Sequence, residues 1–138
     1  MNPYAHLTVF LADDDEDDAY FFQRAVERTY PGCRLRRFDN GTDLVLTLQE
    51  AGAALNVVFL DLAIPRLDGF QVLEQIRQID TLADLPVFIL TVSEADQDIR
   101  RAYQLRASAY LLKPAAMTEL TRLVQPAIRF AMNQFTQR

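Results

Sequence analysis

Val57-Val58-Phe59-Leu60-Asp61 sets four apolar residues, two of them β-branched and one aromatic, directly before a carboxylate. A run of that length and composition reads as a strand buried on both faces, the kind found in parallel sheets. The pattern recurs on either side. Leu7-Thr8-Val9-Phe10-Leu11 leads through Ala12 to Asp13-Asp14, Val87-Phe88-Ile89-Leu90 to Thr91, and Tyr110-Leu111-Leu112 to Lys113-Pro114. In open α/β sheets functional groups collect beyond the strands' carboxyl ends. Three carboxylates, a hydroxyl and an ammonium are therefore expected in one crevice.

The intervening segments have helical period. Residues 17–29 carry Ala19, Phe22, Ala25 and Val26 and end at Pro31-Gly32. Arg34–Phe38 is the expected second strand, Asp39-Asn40-Gly41 a turn, and Leu44, Val45 and Leu48 mark a second helix that stops before Gly52. Phe70, Leu73, Ile76 and Ile79 define a third helix, and Leu85-Pro86 introduces the fourth strand. A fourth helix from about Glu94 would turn Ile99, Ala102 and Tyr103 inward, followed by a strand at Ala109–Leu112. The last helix, from near Met117, would bury Leu120, Val124, Ala127, Ile128 and Ala131. Leu123 and Phe130 lie off that stripe, either as an exposed partner face or in a helix buried more widely. Pro126 removes a helix hydrogen bond and is expected to kink or interrupt the helix.

Five βα units with right-handed crossovers predict a flavodoxin-like (βα)5 fold, with one parallel five-stranded sheet in the order 2-1-3-4-5 and helices on both faces. Strands one and three then adjoin at the topological switch point, which makes Asp13, Asp14 and Asp61 neighbours.

A chain of 138 residues is one domain by size. No output domain is expected within residues 1–138, since nothing after the fifth helix is long enough to form one. A net charge of −5 and the lack of a basic stripe argue against nucleic-acid binding. Arg34, Arg36 and Arg37 alternate with Leu35 and Phe38 as the outer side of an edge strand would. Cys33 is the single cysteine, which rules out an internal disulfide and reads as a semi-buried residue near a strand start. The first apolar run is too short for a signal or membrane segment, so no membrane association and a cytoplasmic location are expected. His6, the only histidine, is read as incidental.

Converging carboxylates repel unless one is protonated or a cation is bound, and an oxygen-only anionic site beside an ammonium suits Mg²⁺ and a phosphoryl group. With Asp13-Asp14, Asp61-Leu62-Ala63-Ile64-Pro65-Arg66-Leu67-Asp68-Gly69, Thr91, and Tyr110 followed by Lys113-Pro114 in this order, the chain resembles a receiver domain of a two-component response regulator from about residue 8 to the last helix. Residues 98–105 and the extended last helix also resemble the single-domain regulators associated with bacterial phytochromes.

The resemblance implies that Asp61 accepts a phosphoryl group from a histidine kinase or phosphotransfer protein. It implies Mg²⁺, with Mn²⁺ as an alternative, held by Asp13, Asp14, Asp61 and the backbone carbonyl of Ala63. Thr91 would bond a phosphoryl oxygen, Lys113 would supply a point charge, and Tyr110 would be the aromatic switch of a surface formed by the fourth helix, fifth strand and fifth helix. Homodimerisation through that surface is a further implication, as is a cis bond at Lys113-Pro114. Taken alone, Thr91 is an ordinary strand residue and Tyr110 a core tyrosine. Asp15 to Asp18 are assigned to capping the first helix and favouring its dipole, and Asp68 to capping the third. Val92 stands where the family usually has a small residue and is expected to narrow access to the site. The stretch Arg106-Ala107-Ser108-Ala109 lacks the family's frequent glycines, which predicts a stiffer loop. Ala63 and Ser93 occupy positions that help or hinder the hydrolytic water in the family, and neither is suited to orient it.

Two rivals differ in class. A Mg²⁺-dependent phosphohydrolase with an aspartyl nucleophile would carry Asp-x-Asp after its first strand, whereas Asp61-Leu62-Ala63 follows the third. A receiver-like binding module independent of phosphorylation would not need all five reacting residues.

Overall fold

The computed structural model describes residues 4–51 and 55–136. The expected helix stop at Gly52 lies outside the described residues. Five strands, Leu7–Ala12 (β1), Arg34–Phe38 (β2), Leu55–Leu60 (β3), Val87–Thr91 (β4) and Ala109–Leu112 (β5), alternate with five helices. The helices are Glu16–Thr29 (α1), Gly41–Ala51 (α2), Gly69–Gln78 (α3), Asp96–Gln104 (α4) and Thr121–Thr136 (α5). All strand pairs are parallel in the order β2-β1-β3-β4-β5, the flavodoxin-like arrangement.

Alternation along each strand divides the core. Val58, Leu60, Val87 and Ile89 pack with Leu44, Leu48, Leu73 and Ile76 of α2 and α3. Val57, Phe59, Phe88 and Leu90 face the other way, against Phe22 and Val26 of α1 and Val124 and Ile128 of α5. Phe59 is fully buried, with Phe22 and Phe88 ring centroids at 4.9 and 5.3 Å. Burial of such a side chain contributes about 1.5–3 kcal/mol. A central sheet buried on both faces needs continuous apolar strands, which is why β1, β3 and β4 stand out so plainly in the sequence.

Polar side chains set the helix starts. Asp15 caps α1 by accepting from the Asp18 amide at 2.9 Å, and Asp68 forms a reciprocal capping box with Gln71 on α3. Asn40 Oδ1 accepts from the Asp43 amide in the first turn of α2.

The last βα unit departs from expectation. Met117–Glu119 is a 3₁₀ turn, and α5 begins only at Thr121. Pro126 lies inside α5 without interrupting it. Both Pro126 and Arg122, whose carbonyl loses its donor, are exposed, so water can replace the missing bond. Tyr103 is not inward either: it is 51% exposed, and Ala102 alone on α4 is fully buried. A nine-residue helix packed against the sheet's edge has little inner face to fill. The loop after α4 adopts a left-handed conformation at Arg106 (φ 67°) in place of a glycine. Arg77 of α3 holds that carbonyl through Nε at 3.1 Å and Nη2 at 2.8 Å.

Candidate phosphoacceptor crevice

Strand register assembles the crevice. Ala12 pairs with Leu60, so Asp13 and Asp61 leave the sheet side by side, and the Asp61 amide donates to the Ala12 carbonyl at 2.9 Å. Leu60 pairs with Ile89, which puts Thr91 one residue beyond the level of Asp61. Thr91 pairs with Leu112, so Lys113 follows at once, its amide donating to the Thr91 carbonyl at 2.8 Å. The acidic, hydroxyl and ammonium groups thus meet at one end of the sheet because four strands end nearly in step.

Both oxygens of the Asp61 carboxylate are engaged. Oδ1 accepts from the Thr91 hydroxyl at 3.0 Å and from the Ala63 amide at 3.2 Å. Oδ2 accepts from Lys113 Nζ at 2.7 Å. The loop beyond Asp61 returns closely: the Gly69 amide donates to the Leu62 carbonyl, and a Cβ at position 69 would stand 2.7 Å from the Asp61 carbonyl oxygen. Only glycine allows that approach.

Lys113 is the hub. Its side chain is 5% exposed, and Nζ contacts Asp13 at 2.9 Å, Asp18 at 2.8 Å and Asp61 at 2.7 Å. Burial pulls the ammonium pKa down, but hydrogen bonds to Asp13, Asp18 and Asp61 together outweigh it and the net shift is upward. The Asp13 carboxyl is held above its ordinary value, chiefly by burial and further by the charge of Asp61. Lys113 and the Asp15 amide, which donates to Asp13 at 2.9 Å, oppose that shift. One ammonium against these three carboxylates leaves the crevice anionic, and Asp14 stands exposed at its rim. Among the described residues no cluster of three or more carboxylate, imidazole or thiol side chains is preassembled at metal spacing, and Asp13, Asp18 and Asp61 are drawn onto the lysine. The donor set, all oxygen and in excess of its counter-charge, still fits a hard divalent cation.

Asp18 was hidden by a sound local explanation. An aspartate three residues after the N-cap suits a helix start, and the Asp18 amide does complete the cap. Its carboxylate, however, turns to Lys113, ninety-five residues away in the chain. Only that remote partner could have revealed it.

Tyr110 is half-buried, its hydroxyl donating to the Ser93 carbonyl at 2.9 Å and its amide to the Tyr103 hydroxyl at 3.1 Å. Burial, chiefly, raises its phenol pKa. Val92, expected to narrow access, is 74% exposed. Ser93 donates its hydroxyl to Asp98 at 2.6 Å and accepts from the Ala95 amide, joining the start of α4. The Lys113–Pro114 bond is trans, contrary to the expected cis form. Trans is the favoured isomer of an X–Pro bond, and Lys113 reaches all three carboxylates with it. Arg37, expected merely to shield the edge strand, also donates from Nε to the Asp13 carbonyl at 3.1 Å.

Comparison with known proteins converges on this architecture. Residues 9–125 match the family described as response regulator receiver domain. The probable methanogenesis regulatory protein FilR2 of Methanothrix harundinacea is 36% identical over 121 residues, covering 85% of this chain and 78% of that protein. Response regulator Rcp1 of Synechocystis sp. is 28% identical over 133 residues, with 93% and 90% covered. The phosphorylated cyanobacterial phytochrome response regulator RcpA superposes with a TM-score of 0.84 at 27% identity, covering 94% of this chain and 96% of that one. A Mn²⁺-bound structure of Rcp1 superposes with a TM-score of 0.77 at 28% identity, with 87% and 90% covered. With strand order, crevice and family match in agreement, the chain belongs to the response regulator receiver domain family of two-component signalling.

Proposed function

We propose that Asp61 accepts a phosphoryl group from a histidine kinase or phosphotransfer protein and that the modified domain signals through altered protein contacts. The observation that carries this reading is the double engagement of the Asp61 carboxylate, by the Thr91 hydroxyl on one oxygen and the Lys113 ammonium on the other. In the transfer an Asp61 oxygen forms a bond to phosphorus while the bond from phosphorus to the donor's imidazole nitrogen breaks, and that nitrogen keeps the electron pair. Lys113 and Thr91 then turn from the carboxylate to the phosphoryl oxygens, where negative charge has moved.

Asp13, Asp14, Asp61 and the Ala63 carbonyl would hold Mg²⁺, or Mn²⁺ as in the Rcp1 structure. The cation would offset charge on the transferring group and orient it. Asp13 and Asp14 come from the end of β1 and Asp61 from β3, so the set is formed only when the sheet is.

Tyr110 serves as the readout. Its hydroxyl holds the carbonyl of Ser93, two residues past Thr91, so a shift of Thr91 toward the phosphoryl group changes the tyrosine's anchor. Tyr103, Leu112 and Phe130 are exposed on α4, β5 and α5 at 51%, 39% and 47%. They give that surface the apolar character expected of a partner or homodimer contact.

Incubation with acetyl phosphate and Mg²⁺ should add one phosphoryl mass to the chain, and Asp61→Asn should add none. Equal labelling of the two proteins would remove Asp61 from the reaction.

A further inference from the structure

Lys113 has three N–H donors, and in this structure each has its own carboxylate. Two of those acceptors, Asp13 and Asp61, are the same groups that the proposed reaction requires for a divalent cation. A metal and an ammonium are both cations, so each loosens the other's hold on a shared carboxylate. Asp18 differs from the other two. It sits on the first turn of α1, outside the strand-end metal set, and its side chain is 24% exposed where those of Asp13 and Asp61 are 3% and 10%.

We infer that Asp18 is a positioning residue for Lys113, retaining the ammonium beside Asp61 when Asp13 and Asp61 are taken up by the divalent cation. The inference rests on the phosphoacceptor reading above and deepens it. The geometry supports this in four ways. Asp18 supplies the lysine with an acceptor for which the metal does not compete. Its attachment to α1 is rigid, because the Asp18 amide is itself bound to the Asp15 N-cap at 2.9 Å. With one N–H anchored there, the ammonium can pivot from the Asp61 carboxylate to a phosphoryl oxygen without leaving the crevice. Lys113 directly follows β5, so the same contact ties the end of the edge strand to α1 across the crevice.

A double-mutant cycle between Asp18→Asn and Lys113→Met tests this in two readouts. The first is Mg²⁺ affinity, followed by thermal shift across a Mg²⁺ titration. Asp18→Asn should weaken affinity about fivefold when Lys113 is present, the scale of a partly exposed ion pair, and much less when it is absent. If Asp18 instead attracts the metal directly, the loss will be as large or larger in the Lys113→Met background, and the inference fails. The second readout is the rate of Asp61 labelling by acetyl phosphate at saturating Mg²⁺. Asp18→Asn should slow it several-fold, Asp18→Glu should restore part of the rate, and Asp18→Asn should cost nothing further once Lys113 is gone. Wild-type rate and wild-type Mg²⁺ affinity in Asp18→Asn would overturn the positioning role. Failure of the wild-type chain to label at all would instead overturn the phosphoacceptor reading, and the Mg²⁺ cycle would still decide the role of Asp18.

Discussion

The β1–β3 crevice and the α4–β5 corner belong to one sheet and are built in opposite ways. Residues Val9, Phe10, Leu11 and Ala12 of β1, and Val57, Val58, Phe59 and Leu60 of β3, are at most 2% exposed. Asp13 and Asp61 follow directly on that dry platform. At the corner, β5 is only half-buried, α4 buries Ala102 alone, and Tyr110 adds single hydrogen bonds to Ser93 and Tyr103. Regions with few buried apolar contacts open at lower free energy than the core around them. The chemistry proposed for Asp61 would thus sit where geometry is over-determined, and the proposed readout where a small change of contact can alter the conformation.

The contrast can be broken most directly through stability. Phe59→Ala, beneath the crevice, should cost about 3–5 kcal/mol by urea denaturation, the usual scale for a buried aromatic truncation. Tyr103→Ala, at the corner, should cost less than about 1 kcal/mol. Comparable losses would mean that α4 is held as firmly as the sheet.

The electrostatic side of the contrast gives a pH signature. Asp13 is buried and its carboxyl is held above the ordinary value, so its protonated form favours the folded chain. The stability it contributes is present in acid and lost as pH rises through that raised value. Asp13→Asn keeps a neutral group there at every pH, and its amide oxygen can still accept from Lys113. The variant should therefore melt higher than the wild type at pH 7, with the gap closing as pH falls below the ordinary carboxylate range. A gap independent of pH would show that packing rather than burial of charge separates the two proteins.

Between the two regions lies the lifetime of the signal. The Ser93 hydroxyl is committed to Asp98, and Ala63 offers the crevice only its backbone, so neither orients a water for attack on phospho-Asp61. Self-dephosphorylation should be slow, and Ala63→Asn combined with Ser93→Glu should speed it about tenfold, roughly 1.4 kcal/mol of barrier. A rapid wild-type decay, or a slower double variant, would refute this account. The smallest expected effect is that of Tyr110→Phe, which removes one hydrogen bond and should cost about 0.5–1.5 kcal/mol of stability. Labelling of Asp61 should stay near the wild-type rate while partner or homodimer association weakens. A labelling defect as large as that of Lys113→Met would join the corner to the chemistry and erase the distinction.

Composition and period made the alternation of strands and helices and a buried parallel sheet legible, and they marked Asp13, Asp14, Asp61, Thr91 and Lys113 as polar residues at strand ends. The strand order followed from the flavodoxin-like precedent, and the roles proposed for those residues from the resemblance to receiver domains. Buried parallel strands must be continuously apolar, so a charged or hydroxyl residue that ends such a run is conspicuous. The capping role of Asp68 was equally legible, because a cap acts on its own neighbours in the chain. Only the tertiary structure decided that Tyr103 faces solvent, that Pro126 is accommodated on an exposed side of α5, and that Asp18 binds Lys113. Each of these depends on what lies across space: how much sheet α4 covers, which side of α5 meets water, and where a lysine ninety-five residues distant delivers its ammonium. Local pattern fixes what a residue can do for its own helix or strand, whereas the partner of a long, flexible, charged side chain is settled only when the strands are in register.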